Sequence, residues 1–255
     1  MSTVAGDAAQ AGRPRAASVR FVPTGAITPD LWDELWALTC RFYQADRAYV
    51  EEKLKGHQHI VLFRDRGDGT LVGMAAVQVD ALQVQERRLL MIFTSHAIVD
   101  ERYRGQNLLQ RAGARSYLRC WLRYPLHRKY WVFDTFSYRS YLLLPRNMRE
   151  FWPRRDRPTP GHEAAVMEAY GRLKYGESWR DGVIARSPRK KLLPQTASLT
   201  PELQRHPDLA FFASVNPGHA EGDMLLCLCP LSAANWWGIA SRWAARAWRG
   251  RRGPA

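Results

Sequence analysis

Cysteine is scarce in this chain, long uncharged apolar runs are missing, and acidic residues are too few to balance the basic ones. Cys40, Cys120, Cys227 and Cys229 are the four thiols in 255 residues. No CxxC pair occurs and no His stands at ligand spacing from any of them, which argues against a disulfide framework and against a bound metal. Cys227 and Cys229, two apart in an apolar run, read as reduced core thiols on one face of a strand. The nearest approach to a membrane span, residues 224 to 241, is interrupted by Pro230 and Asn235 and reads as a strand followed by a separate segment. Residues 1–18, MSTVAGDAAQAGRPRAAS, have no hydrophobic h-region. The expectation there is a disordered lead-in rather than a secretion signal, and a cytoplasmic protein. No internal repeat is evident.

What is present is enough apolar residue, 46%, to bury a full core without staples. Thirty-eight Lys and Arg against 24 Asp and Glu give a formal net charge of +14. A phosphorylated cofactor, a nucleic acid or an anionic membrane surface would all suit that charge.

Taken in order, Val19 to Pro23 is a short alternating strand. Thr28 as N-cap and Pro29 at the first helical position open a helix carrying Leu31, Leu35, Leu38 and Phe42. A second helix, Asp46 to Lys55, ends at Gly56 with two lysines in its last turn, as the helix dipole prefers. Strand-like runs His59 to Arg64 and Leu71 to Val79 flank Asp68-Gly69, a hairpin signal. A third strand, Glu86 to Val99, follows a polar segment at Gln83 to Arg88. After a break at Asp100 to Gly105, the apolar positions from Leu108 fall mostly at helical spacing, with Arg111, Arg115 and Arg119 on another face. The helix stops near Pro125, and Tyr130 to Thr135 makes a buried strand that a right-handed crossover would set parallel to its predecessor.

Ser137 to Trp152 reads as a helix capped by Ser137 and kinked at Pro145. Residues 153 to 207, with a helix from Glu163 to Tyr175, read as an insertion lying over the sheet. Leu209 to Val215 and Asp223 to Leu231 read as a last strand pair joined by NPGHAEG. His219 and Glu221 of that loop could border a pocket, although a plain connection is the simpler role. The organisation expected is therefore a lead-in (1–18), one domain (19–234) and a basic, Trp-rich tail (235–255). That tail suits a docked terminal helix, or a contact with a membrane surface or an acidic partner.

A strand feeding a helix through an Arg- and Gly-rich turn leaves main-chain N–H groups unpaired at the positive end of the helix, a plausible anion site. At this turn, VDERYRGQNLL, the sequence resembles the GNAT superfamily of acyl-coenzyme A dependent N-acyltransferases. Its signature is Arg or Gln, two residues, Gly, one residue, then Gly or Ala. Arg102, Arg104, Gly105 and Gln106 fit it after the apolar strand end Ala97-Ile98-Val99, while Asn107 stands where Gly or Ala is usual. Asn tolerates a left-handed backbone, although its side chain could crowd a pyrophosphate.

The resemblance implies an α/β fold with a mixed, twisted sheet of about six or seven strands and helices on both faces. It implies acetyl-coenzyme A, or another acyl-coenzyme A, with its pyrophosphate on the N–H groups of Arg104 to Leu108 and its pantetheine along Ala97, Ile98 and Val99. Ser137 and Asp134 could orient cofactor or substrate. His96 or Glu86 could serve as base toward a small-molecule or peptide amine, and Tyr141, or Tyr138, as the acid that protonates the thiolate. Two alternatives stay open. One is an enzyme using a long-chain acyl-coenzyme A or an acyl carrier protein. The other is a non-catalytic module of the same fold that binds nucleic acid or membrane.

Overall fold

The structure is a computed structural model, and it describes residues 16–184, 190–192, 205–239 and 241. Its centre is an eight-stranded mixed sheet in the order β1-β3-β4-β5-β6-β10-β8-β7. The strands are β1 (Ala17–Pro23), β3 (His59–Asp65), β4 (Leu71–Val84), β5 (Arg87–Val99), β6 (Arg128–Thr135), β7 (Trp179–Arg180), β8 (Val183–Ile184) and β10 (Met224–Pro230). Two short strands outside it, β2 (Tyr43–Ala45) and β9 (Lys190–Leu192), pair with each other. All neighbours in the large sheet are antiparallel except β5 and β6, which run parallel. That exception is forced by the crossover helix between them, α3 (Leu108–Arg123).

Helices cover both faces. On one side α1 (Pro29–Cys40) and α2 (Arg47–Lys55) pack Leu35, Leu38, Val50 and Leu54 against Ile60, Leu62, Met74 and Ile98. Beside them α6 (Gly161–Tyr175) sets Val166, Met167 and Tyr170 over Met91, Phe93 and Tyr130. The Thr28 cap read from the sequence is in place, its Oγ1 accepting from Leu31 N; Asp46, read as the first residue of the second helix, is instead its cap and accepts from Tyr49 N. On the other side α3 buries Leu108, Ala112 and Cys120 against Phe63, Val77 and Ile92. The arginine ladder of α3 locks the edge strand: Arg111 and Arg115 donate to the carbonyls of Ala17 and Val19, and Arg119 lies over the Phe21 ring. This covers an edge that would otherwise invite another strand.

Several expectations are corrected. The sheet has eight strands rather than six or seven, because the stretch 153–207 contributes the β7–β8 hairpin to its far edge. Leu209 to Val215 is a helix, α7 (Pro207–Val215), and no last hairpin forms. Pro207 sits at the first helical position after the His206 cap, and Leu209 and Phe212 bury at helical spacing. Ser137 to Trp152 is not one helix. It holds two short ones, α4 (Tyr138–Tyr141) and α5 (Leu143–Asn147), and then an extended stretch in which Trp152 bridges Leu228 and Asn235 Oδ1 accepts from Arg149 and Glu150 N. Ser137 stands at the N-cap without a side-chain cap bond.

Strands β4 and β5 run through the segment read as a polar connection and meet at a two-residue turn. Its residues, Gln85 and Glu86, both have positive φ, as a tight hairpin requires. The first strand begins at Ala17, two residues before the expected boundary. The proposed tail boundary falls inside a helical segment, 233–239, whose Trp236 ring packs on Tyr117 at 4.6 Å. Residues 242–255 and 185–189 lie outside the described residues.

Candidate active site

β5 and β6 stay paired only from Leu89 opposite Arg128 to Thr94 opposite Phe133, where Trp131 Nε1 donates to Thr94 Oγ1 at 2.8 Å. Beyond that pair the strands splay. β5 also breaks its ladder with β4 there: Ser95 opposes Ala76 and Ile98 opposes Met74, so His96 and Ala97 share one position. The extra residue is a β-bulge, and His96 takes φ of +50°, a conformation rare outside glycine and typical of functional kinks. A cavity of about 740 Å³ passes through the splay. Its α3 side is walled by Leu109, Gly113, Tyr117, Trp131, Phe133 and Trp236, and its other side by Tyr49, His57, Phe93, His96, Asp134 and Lys174.

Three side chains link into a relay on that second side. His57, following α2, donates from Nδ1 to the Lys53 carbonyl at 2.8 Å, which leaves the lone pair on its Nε2. Ser95 Oγ lies 2.8 Å from that Nε2 and 2.9 Å from His96 Nδ1. With His57 accepting, the Ser95 hydroxyl donates to it and accepts from His96 Nδ1–H, so the basic lone pair of His96 falls on Nε2. Burial lowers the pKa of His57, with the Lys174 charge adding to that effect, and the ring is kept neutral as an acceptor. It stacks on Phe93 with ring centroids 5.7 Å apart. Lys174 Nζ is 3.9 Å from the centre of the same ring and donates to Gln78 Oε1 at 2.7 Å. Tyr175 donates to Asp134 Oδ2 at 3.1 Å.

The turn read as an anion site has the backbone that its sequence calls for. Gly105 has φ of +89°, and Asn107 is left-handed at φ 54°, ψ 35°, with no side chain capping α3. Its arginines are already engaged. Arg102 grips Asp100 through Nε and Nη2, Arg41 joins from α1, and Arg104 pairs with Glu101 at 2.7 Å. The Arg102 guanidinium above all, with Arg41 beside it and against the cost of burial, holds the Asp100 carboxyl well below the usual carboxylate range. Tyr103 ties the turn to Asp65, and Gln106 accepts from Ala17 N at 3.0 Å. The guanidiniums thus shape the loop first, and two of the N–H groups expected to hold a pyrophosphate are engaged too, Arg104 N donating to the Glu101 carbonyl at 3.1 Å and Gln106 N to the Tyr103 carbonyl at 3.4 Å; those of Gly105, Asn107 and Leu108 are the candidate partners for a phosphate.

The residues singled out by sequence divide sharply. His96, Ala97 and Ser137 line the cavity, as does Asp134. Ile98 and Val99 continue β5 past its last pairing with β6. Glu86 is exposed at the β4–β5 turn. At roughly 3.3 Å per residue it lies about 30 Å along the strand from His96, too far to share a substrate.

Tyr141 is buried among Phe151 and Phe212, donates to the Pro153 carbonyl at 3.2 Å and is absent from the cavity wall. Burial pushes its phenol far above the ordinary range, so it is a core residue rather than an acid facing the splay. Tyr138 is likewise buried in that cluster, and His219 and Glu221 sit in a short 3-10 turn away from the cavity. Sequence reasoning missed His57, Ser95, Lys174 and Tyr175. His57 stood one residue after the helix-ending Gly56, and nothing in the local pattern announced that it faces β5.

No family model matches the sequence, and no curated protein matches it. Solved structures do. A probable N-acyltransferase from Enterococcus faecalis is 17% identical, with a TM-score of 0.37, over 50% of this chain and 31% of that one. A GNAT family N-acetyltransferase from Escherichia coli in complex with CoA is 22% identical, with a TM-score of 0.34, over 47% of this chain and 62% of that one. The glucosamine-6-phosphate N-acetyltransferase of Arabidopsis thaliana is 12% identical, with a TM-score of 0.37, over 57% and 99%. The match thus spans less than two thirds of the first two proteins. At such identities and TM-scores these likenesses say nothing of the reaction, and the mixed α/β fold is identified by the chain's own strand order and register.

Proposed function

We propose that the chain is an acyl-coenzyme A dependent N-acyltransferase that moves an acyl group, acetyl in the simplest case, from a thioester to an amine by direct attack. The observation that carries this reading is the cavity through the β5–β6 splay, walled on one side by α3 from Leu109 to Tyr117, just past the Arg102–Leu108 turn, and on the other by the His57–Ser95–His96 relay. The N–H groups of Gly105, Asn107 and Leu108 at the start of α3 suit a pyrophosphate. Gly105 offers open space, since a Cβ there would meet nothing within 4 Å. The unpaired edge of β5 from Ala97 to Val99 suits an amide-bearing arm laid down as an extra strand.

His96 is the base. Its Nε2 takes the proton of the attacking nitrogen as the new nitrogen–carbon bond forms and the carbon–sulfur bond breaks. Ser95 and His57 hold its tautomer and spread the charge it gains. A dedicated acid is dispensable, because a thiolate with a conjugate acid near about 8.5 leaves readily and takes its proton from water. Asp134, Tyr175 and Lys174 face the acceptor side and suit a small polar amine. A longer acyl chain is favoured by one observation, the apolar wall of Leu109, Tyr117, Trp131, Phe133 and Trp236 on the α3 side.

Acetyl-coenzyme A at 100 times its dissociation constant should stabilise the protein by about 2.7 kcal/mol. Arg104→Ala should weaken that response. Glu101→Gln, which frees Arg104 from an exposed ion pair worth at most about 1 kcal/mol, should tighten binding by up to roughly fivefold. Palmitoyl-coenzyme A in the same titration separates the two chain lengths. A melting temperature unmoved by either thioester at millimolar concentration, with no thiol released on adding amines, refutes the proposal.

A further inference from the structure

Four of the seven exposed large apolar side chains among the described residues lie between Leu118 and Leu126: Leu118 is 55% exposed, Trp121 51%, Leu122 67% and Leu126 82%. Leu118 and Leu122 stand two residues on from Ser116 and Cys120, which α3 buries in the core, and two residues turn a helix by about 200°. The apolar row therefore faces directly away from the sheet. On one flank run Arg115, Arg119 and Arg123. On the other is Tyr117, against which Trp236 anchors the segment 233–239 with its own exposed Trp237. The sequence from Arg102 to Phe133 contains no Asp or Glu, and neither does that from Met224 to Ala255, which adds Arg242, Arg246, Arg249, Arg251 and Arg252. Among the described residues no ion pair neutralises Arg111, Arg115, Arg119 or Arg123.

We propose that the outward face of α3, with its leucines and Trp121 flanked by arginines, docks the protein on an anionic phospholipid surface. The chemistry selects this partner. Leucines and tryptophans enter the boundary between headgroups and acyl chains while the arginines stay with the lipid phosphates, the pattern of an interfacial amphipathic helix. A nucleic acid would use the arginines but leave the leucine row against its phosphates without a partner. A second copy meeting the same face across a twofold axis would bring the two arginine rows together. No helix among the described residues is long and apolar enough to cross a membrane, so the contact is a surface one.

The test is co-sedimentation of the full chain with vesicles of phosphatidylcholine alone and of phosphatidylcholine mixed with phosphatidylglycerol. Binding should need the anionic lipid and fall as salt rises. The double variant Leu118→Asp, Leu122→Asp should lose at least about tenfold in partitioning, whereas Leu173→Asp, at an exposed leucine on α6, should lose nothing. All three positions are exposed, and unchanged circular dichroism would show that the variants fold. Equal partitioning of the wild type and the double variant overturns the proposal. So does sedimentation that ignores lipid charge, tighter binding to duplex DNA than to anionic vesicles, or a dimer that the double variant turns into a monomer.

Discussion

Replacing Ser95 by Ala should separate the relay from the histidines it joins. The hydroxyl holds two contacts, 2.8 Å to His57 Nε2 and 2.9 Å to His96 Nδ1. His57 is only 9% exposed, so its nitrogen loses a partner that water replaces poorly, and His96 loses its partner at the cavity wall. An orphaned buried group costs about 1–3 kcal/mol, which puts the whole change near about 2 kcal/mol. For a chain of this length that lowers the melting temperature by roughly 4 °C, leaving a folded protein to assay. Catalysis should suffer more than folding. With Ser95 gone, His96 is free to swing and to place its proton on either nitrogen, and kcat should fall by roughly ten- to a hundredfold.

His96→Gln should cost the full contribution of a general base, about 10²–10⁴. Ser95→Thr keeps the hydroxyl and should restore most of the rate. The measurements are thiol release under saturating thioester and the pH profile of each variant. The relay would be refuted by a Ser95→Ala enzyme with wild-type kcat and pH profile, or by a His96→Gln enzyme within about threefold of wild type.

Two further outcomes follow from buried contacts. Gly171 lies in α6, where a Cβ would come within 2.3 Å of the Trp179 ring, and that ring is fixed by its bond to Glu168 and by burial. Gly171→Ala gains up to about 1 kcal/mol of helix propensity but overpacks the ring at about 1–3 kcal/mol, so the melting temperature should fall; a rise would contradict the packing. Acid should destabilise the protein in two steps. Folding lowers the pKa of His57 below the unfolded value of about 6.5, so its contribution is complete above that pH and is lost below it as the unfolded chain takes up a proton that the folded one refuses. Asp100, also lowered, gives up its contribution below about pH 3.9. Melting curves should therefore decline below about pH 6.5, and His57→Gln should blunt that first decline.

The sequence by itself determined what is local. Thr28-Pro29, Asp46 with Gly56, and Asp68-Gly69 wrote their caps and turns into a few adjacent residues, because capping and tight turns depend on side chains within four positions. The strand, turn and helix from Leu89 to Arg123 were legible for the same reason, as was the left-handed Asn107. Leu209 to Val215 misled because a short apolar run has no decisive period, and its helix is set by Pro207 and by what Leu209 and Phe212 bury against.

Tertiary structure alone decided the site. Tyr141 as acid and His96 as base were both candidates as letters, but packing sent one into the core against Pro153 and set the other on a bulge in the cavity wall. His57, 38 positions before Ser95, and Lys174, nearly a hundred positions after Gln78, meet their partners only because the sheet brings α2, α6 and β5 together. Proton relays and charge pairs depend on distances of about 3 Å, and sequence separation carries no record of those.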